Sequence, residues 1–312
     1  MLKKMLSALA LLAAPCSPAT ANTLNATPAT IVANISAAQS GDTVVLAPGD
    51  YGLITIGARV WQPPVTLDAR AATYTLTLDR TAGLRLLAGT TAHANVPAST
   101  RGFGIWLKAA QRIGIENPTL IDNRINVFFD SAKNSYMHGA KCTGQRSDCV
   151  DVFSSDGIDV GYTSCTVPGA GVGQHPDCVQ AAQRFGKPTR NVKVHHTYAK
   201  GDFQCVNAFS HNRPTGNDGP FRGLTFTDNV CIGLYPQGIT AANVIGGTFT
   251  DNTAYTMKGA RYVTRFQLYG CTSCTVARNV VGDRPGALPV KPEPLPFAVP
   301  AVAPALLEMI GF

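Results

Sequence analysis

The sequence predicts an all-β solenoid, a coil of short parallel strands stacked turn upon turn, and three observations carry that prediction. A four-residue pattern returns along the middle of the chain as Cys149-Val150-Asp151-Val152, Cys178-Val179-Gln180-Ala181, Cys205-Val206-Asn207-Ala208 and Gly238-Ile239-Thr240-Ala241. The starts lie 29, 27 and 33 residues apart in the numbering, inside the period of roughly 20–50 residues that marks stacked repeats. Each repeat alternates apolar and polar residues, as a strand with one buried face does. A second alternating segment follows each of the first: Ile158-Asp159-Val160, Val192-Lys193-Val194, Leu224-Thr225-Phe226 and Gly247-Thr248-Phe249. Thr163, Thr197, Asn229, Asn252 and Asn279 then share one column, where side-chain amides can hydrogen-bond up and down a stack. Ile105-Trp106-Leu107 and Ile125-Asn126-Val127 extend the first column backwards, for about six coils in all.

Taken in order, residues 1–21 read as a secretory signal: Lys3 and Lys4, an apolar run over residues 5–14, and Ala19-Thr20-Ala21 ahead of Asn22. Pro15 before Cys16 stands where lipoprotein processing needs a small residue. No later apolar run reaches the ~18 residues that span a bilayer. Residues 27–39 carry Ile31, Val32, Ile35 and Ala38 at helical spacing. A short helix there would form an N-terminal cap, because the first coil of a solenoid otherwise exposes an apolar cross-section and strand edges. Residues 41–51 read as a strand entering the Pro48-Gly49 turn. Val65-Thr66-Leu67, Tyr74-Thr75-Leu76-Thr77-Leu78 and Leu84-Arg85-Leu86-Leu87 are strands of the first coils, and residues 90–101 and 210–219 are projecting loops. Beyond Val281 the repeats stop and prolines crowd from Pro285 to Pro304. The expected organisation is a signal over 1–21, one coil domain over 22–281, since a solenoid grows by addition, and an extended Pro-rich tail over 282–312.

The chain has 26 basic and 19 acidic residues, a formal net charge of +7, and stays basic once Lys3 and Lys4 leave with the signal. That balance favours an anionic partner. Export and the lack of a long basic run favour an acidic polysaccharide over nucleic acid. Of the nine cysteines all but Cys16 follow the signal, in a compartment where disulfides form. Cys271-Thr272-Ser273-Cys274 has no second pair to complete a zinc set. Cys142 and Cys165 fall in one column on neighbouring coils, as do Cys149 and Cys178. At a coil spacing of ~4.8 Å these pairs are either bridged or packed as free thiols.

The opening Gly41-Asp42-Thr43-Val44-Val45-Leu46-Ala47-Pro48-Gly49-Asp50-Tyr51 is similar to the first coil of many pectate-lyase-like proteins. His175-Pro176-Asp177-Cys178-Val179-Gln180 resembles an Asp-Gly-Ile-Gln type motif found within them. On these residues and on the returning strands, over residues 27–280, the chain resembles the right-handed parallel β-helix of the pectate-lyase-like superfamily. The resemblance implies a single-stranded solenoid, right-handed as crossovers between parallel strands nearly always are, and a carbohydrate-active enzyme. It leaves the reaction open, since that superfamily holds lyases, hydrolases, epimerases and phage tailspikes. The Gly-His-Gly and Arg-Ile-Lys signatures of polygalacturonases are absent, as is the Asp-Pro-His-Glu motif of mannuronan epimerases.

Aligned coils put Asp148, Asp177, Gln204 and Gln237 in one column, with Arg146, His175, Asp202 and Tyr235 in the column before it. Asp151, Gln180, Asn207 and Thr240 make the outward column within the strand. These columns span ~15 Å at ~4.8 Å per coil, the length of a few sugar units. Polar residues ahead of strands also cap turns and brace stacks, but here carboxylates, a histidine and amides gather on adjacent coils. The candidate catalytic residues are His175, Asp177, Asp151, Asp148 and Arg213. The candidate substrate-binding residues are Gln180, Gln204, Asn207, His211, Arg146, Asp202 and Lys187.

Two enzyme mechanisms fit such a strip. A lyase must neutralise the sugar carboxylate and remove the C5 proton: Asp148, Asp151 and Asp177 are a candidate Ca²⁺ set or hold a proton, with His175, Arg213 or Lys187 as base or clamp. A glycoside hydrolase would use Asp151 and Asp177 as its carboxyl pair. A non-catalytic carbohydrate-binding or adhesive β-helix would show more aromatic platforms than Trp106, Phe153, Phe209 and Tyr235. The sequence thus points to a secreted or periplasmic polysaccharide lyase acting on an acidic polysaccharide.

Overall fold

The computed structural model describes residues 20–92, 102–144, 147–167, 176–184, 186–210 and 219–282. Most of the expected signal and nearly all of the expected tail lie outside them. The described chain is all-β apart from one helix, and its 29 strands pair in parallel throughout. It is a parallel β-helix: consecutive strands do not face each other in hairpins but pair with their equivalents one coil on, which builds three ladders. The first ladder comprises Gly49–Gly57, Ala72–Asp79, Phe103–Lys108, Ile125–Asp130, Val150–Phe153, Asp177–Gln183, Gln204–Ser210, Gln237–Ile245 and Arg265–Thr272. Nine stacked strands thus replace the expected six or so. The second ladder runs from Thr23–Ala26 to Thr275–Ala277 and the third from Thr90–Ala92 to Val280–Gly282.

The four-residue repeats stack as their alternation predicts. Val150 pairs with Val179, Val179 with Val206 and Val206 with Ile239, all buried. Each such side chain contributes about 1.5–3 kcal/mol by leaving water. Ile125-Asn126-Val127 enters the stack two residues away from the expected alignment, because Val127 rather than Ile125 pairs with Val150. A slip of two keeps the same face inward, so alternation alone does not detect it.

One corner residue of each coil takes the left-handed conformation where the second ladder turns into the third. Tyr162, His196, Asp228, Asp251 and Arg278 have φ of 54°, 52°, 55°, 59° and 54°. Directly after it comes the amide column. Asn252 Nδ2 donates to Asn279 Oδ1 at 2.9 Å and to the Phe226 carbonyl at 2.7 Å, while its Oδ1 accepts from Asn229 Nδ2 at 2.9 Å and from the Asn229 N–H at 3.2 Å. The ladder satisfies buried backbone groups at a turn that regular pairing cannot reach.

The helix is Ile31–Ala37, shorter than expected, and lies against the first strands of the second ladder. Ile31, Ile35 and Ala38 join the core, but Val32 faces solvent: seven residues present one narrow stripe. Residues 90–92 form a strand where a loop was expected, and the rest of that loop lies outside the described residues.

The cysteines of the described residues are bridged, but not up the columns. Cys142 pairs with Cys149, Cys165 with Cys178 and Cys205 with Cys231, at Cα separations of 6.0, 5.8 and 5.8 Å. Cys142 does stack on Cys165; however, stacked side chains point the same way, and a disulfide needs converging Cβ vectors. Cysteines facing each other from the third ladder and the first meet that need. Cys271 bonds Cys274.

Replacing Asn252 by Ala strands the donors of Asn229 and is expected to cost about 1–3 kcal/mol, and Val179→Asp, with no partner for its charge, roughly 3 kcal/mol or more. Denaturant unfolding of both variants checks this; wild-type stability in Asn252→Ala would remove the ladder from the account.

Candidate active site

The columns expected from sequence converge on the outer face of the first ladder. Asp177 pairs with Gln204, and Asp151 with Gln180, Gln180 with Asn207 and Asn207 with Thr240. One coil below Asp177, Asp148 accepts the Asp177 backbone N–H on Oδ1 at 2.7 Å. The disulfides fix these positions, because Cys149, Cys178 and Cys205 each follow directly on Asp148, Asp177 and Gln204.

The outward column is not solvent-exposed as expected. Asp151, Asn207 and Thr240 are buried, as are Asp148 and Asp177. Three carboxyls packed together out of water cannot all ionise freely. Hydrogen bonds decide where the proton sits. Asp177 accepts Gln180 Nε2 on Oδ2 at 2.8 Å and Asn207 Nδ2 on Oδ1. Asp148 accepts the Asp177 N–H on one oxygen and Ser147 Oγ on the other, at 2.8 Å. Both are therefore dressed as carboxylates. Asp151 hydrogen-bonds Asp148 and feels the charge of Arg124, which works against the rise, while its Oδ1 has no hydrogen-bond partner among the described residues. Burial, then the charges of Asp148 and Asp177, push its carboxyl well above the usual range. Burial and the charge of Asp148 raise Asp177 as well, against the pull of the Asn207 and Gln180 amides. Asp151, with one oxygen unpartnered, and Asp177, with both oxygens accepting amides, are thus two raised carboxyls in unlike hydrogen-bond settings.

Asp177 opens onto a cleft of about 530 Å³, lined also by Gln180, Gln204, Gln237, Thr240 and Gln267, with Phe209 and Tyr269 along one side. Four glutamine amides on successive coils give donors and acceptors spaced for hydroxyls or carboxylates, without a fixed charge. Gln267 and Tyr269 escaped the sequence reading, because their strand lies past the last repeat; Phe266-Gln267-Leu268, apolar-polar-apolar, was the signal available.

The remaining candidates divide. Asp202 is half-buried ahead of its strand and adds to burial in raising the Tyr235 phenol, so those two do adjoin. Lys187 is exposed in the turn after Asp177–Gln183 and does not line the cleft. His175, Arg146, His211 and Arg213 lie outside the described residues. Asp148, Asp151 and Asp177 are not among the described groups whose possible metal ligands all lie within 4.8 Å of one another. Trp106 and Phe128 continue the outward column below Asp151. Phe128 stacks on Phe103, Trp106 tilts against it, and they pack beside Phe153 and Ile125 as a small apolar cluster, not as free platforms.

No family model and no curated protein sequence matches this chain. It is similar to the solved structure of pectate lyase Pel9A, with 11% identity, a TM-score of 0.49, and 83% of this chain and 78% of that one covered. It is similar also to an alginate lyase from Paenibacillus sp. str. FPU-7, at 13% identity and TM-score 0.38 over 84% and 98% of the two chains. A GH136 lacto-N-biosidase from Eubacterium ramulus gives 8%, 0.40, 84% and 68%. The coil described above rests on strand pairing, and no residue role is carried over from these structures.

A raised Asp151 means that the folded chain binds a proton the unfolded chain releases. Its contribution is present below the unfolded pKa and is lost as pH rises through the folded one. The melting temperature is therefore expected to fall as pH rises from about 4 toward neutrality, and Asp151→Asn to flatten that fall and melt higher at neutral pH. An unchanged profile in the variant would place the proton elsewhere.

Proposed function

We propose that the chain is a secreted or periplasmic carbohydrate-active enzyme that cleaves an acidic, uronic-acid-containing polysaccharide by β-elimination. The coil is read as right-handed, with the helix Ile31–Ala37 as its N-terminal cap. The observation that carries the proposal is a buried carboxyl, Asp177, raised by burial and by the charge of Asp148, at an amide-lined cleft and packed with a second raised carboxyl, Asp151. Elimination needs the uronate neutralised, a base at C5 and an acid for the departing oxygen at C4. The cleft glutamines supply hydrogen-bond donors to the uronate. Asp177 removes the C5 proton, its basicity raised by burial and by Asp148. Asp151 holds the reserve proton of the trio. His175, two residues before Asp177, and Arg213 are the proposed acid and substrate clamp. Four disulfides among the described residues and a basic chain suit an exported protein that meets an anionic polymer. No helix among the described residues is long and apolar enough to cross a membrane.

The two raised carboxyls also suit a second reading, a glycoside hydrolase with Asp151 and Asp177 as acid and base. Incubation with polyuronates separates the two, because only elimination leaves a conjugated double bond that absorbs in the ultraviolet. Asp177→Asn is expected to lose roughly 10²–10⁴-fold in turnover in a protein that still melts cooperatively. Chelator tests the Ca²⁺ version: loss restored by Ca²⁺ supports it, and no effect leaves the protonated acid. Reducing-end release without ultraviolet absorbance would replace the lyase by the hydrolase, and full activity in Asp177→Asn would end both.

A further inference from the structure

A second polar cluster lies on the outer face of the second ladder, and nothing in the proposed reaction uses it. His138 closes the strand Lys133–His138, Gly161 closes Asp156–Gly161 and His195 closes Arg190–His195, and the register stacks these three residues in one column. Asp159, two residues before Gly161, lies on the same face. The histidines are two coils apart, yet their ring centroids come to 5.5 Å. They meet because the residue between them is glycine: a Cβ on Gly161 would collide with His195 Nε2 and Cε1.

His195 Nε2 lies 2.9 Å from Asp159 Oδ1, and His138 Nε2 lies 3.7 Å from that same oxygen. All three atoms are buried, and none has a hydrogen-bond partner among the described residues, since the 2.9 Å approach lacks the direction of an N–H···O bond. Three unsatisfied polar atoms aimed at one point are costly unless something fills it.

We infer that His138 Nε2, His195 Nε2 and Asp159 Oδ1 form a binding site for a divalent transition-metal ion of the zinc class. Two imidazoles and a carboxylate suit zinc, whereas Ca²⁺ and Mg²⁺ take oxygen ligands. Ligands ~2.0–2.1 Å from a tetrahedral ion stand about 3.3 Å apart, and the separations of 2.9 and 3.7 Å bracket that value. Outer partners are in place: His195 Nδ1 lies 2.9 Å from His196 Nδ1, which turns Nε2 toward the ion. His196 and Tyr162, both at left-handed corners, stack at 4.8 Å beside it. The charged groups facing the cluster leave Oδ1 open. Lys193 Nζ sits 3.8 Å from Oδ2, and Glu116 is engaged by Arg85 at 2.9 Å and by Tyr136 Oη at 2.7 Å. Three protein ligands leave a fourth position for water.

The test uses tag-free, full-length protein stripped with chelator. Calorimetry with Zn²⁺ is expected to show one ion per chain at a Kd below about 1 µM, with a higher melting temperature. Co²⁺ in the same protein should give the intense visible bands of a tetrahedral ion, a readout that needs no variant. The double variant His138→Gln/His195→Gln, and separately Gly161→Ala, should weaken Zn²⁺ binding by more than about a hundredfold. A cobalt spectrum that stays that of the aqua ion, no zinc uptake by the folded wild type, or equal uptake in the double variant would each overturn the assignment.

Discussion

Parallel pairing at a fixed register is the constraint on which the rest of this protein depends. Once Val150 sits over Val179 and Val179 over Val206, every other residue of those strands has its place, about 4.8 Å from its equivalent. The same rule builds the amide column of Asn229, Asn252 and Asn279, where like stacks on like to mutual benefit. Applied to carboxyls it does the opposite. Asp148 and Asp177 are forced into adjacency on neighbouring coils, and the fold must either shed a charge there or share a proton.

The molecule manages two polar clusters in contrasting ways. On the first ladder Asp148 and Asp177 are held by a backbone N–H, a serine and two amides, and burial with their charges pushes the Asp151 carboxyl upward. On the second ladder Asp159 is flanked by two imidazoles and kept ionised. Disulfides support the first arrangement directly. Each clamps the residue after a cleft position to the third ladder or its edge, so the carboxyls cannot drift apart to relieve their repulsion. Such rigidity preserves an unfavourable ionisation state that a looser chain would relax away.

Much of the fold was legible because it repeats. Alternation placed the valines of the first ladder and the phenylalanines of the second, and amide spacing placed the corner column. Where a signal did not repeat, the reading failed for identifiable reasons. Ile125 and Val127 are both apolar, so a two-residue slip left the pattern unchanged. Cysteines in a column announced stacking but not which cysteine faces which across a corner. Outward orientation of Asp151 was correct along the strand yet said nothing of what covers it. His138 and His195 became a pair only when the register set them on either side of Gly161.

The central claim is that one carboxyl of the trio keeps its proton at neutral pH and that it belongs to Asp151. Carbon-13 NMR of the side-chain carboxyls in aspartate-labelled protein reads this directly. The account predicts one carboxyl resonance at the shift of a protonated acid at neutral pH, absent from the Asp151→Asn spectrum. If every aspartate of the folded protein titrates at or below the ordinary range near 4, the trio is fully ionised and the account is contradicted.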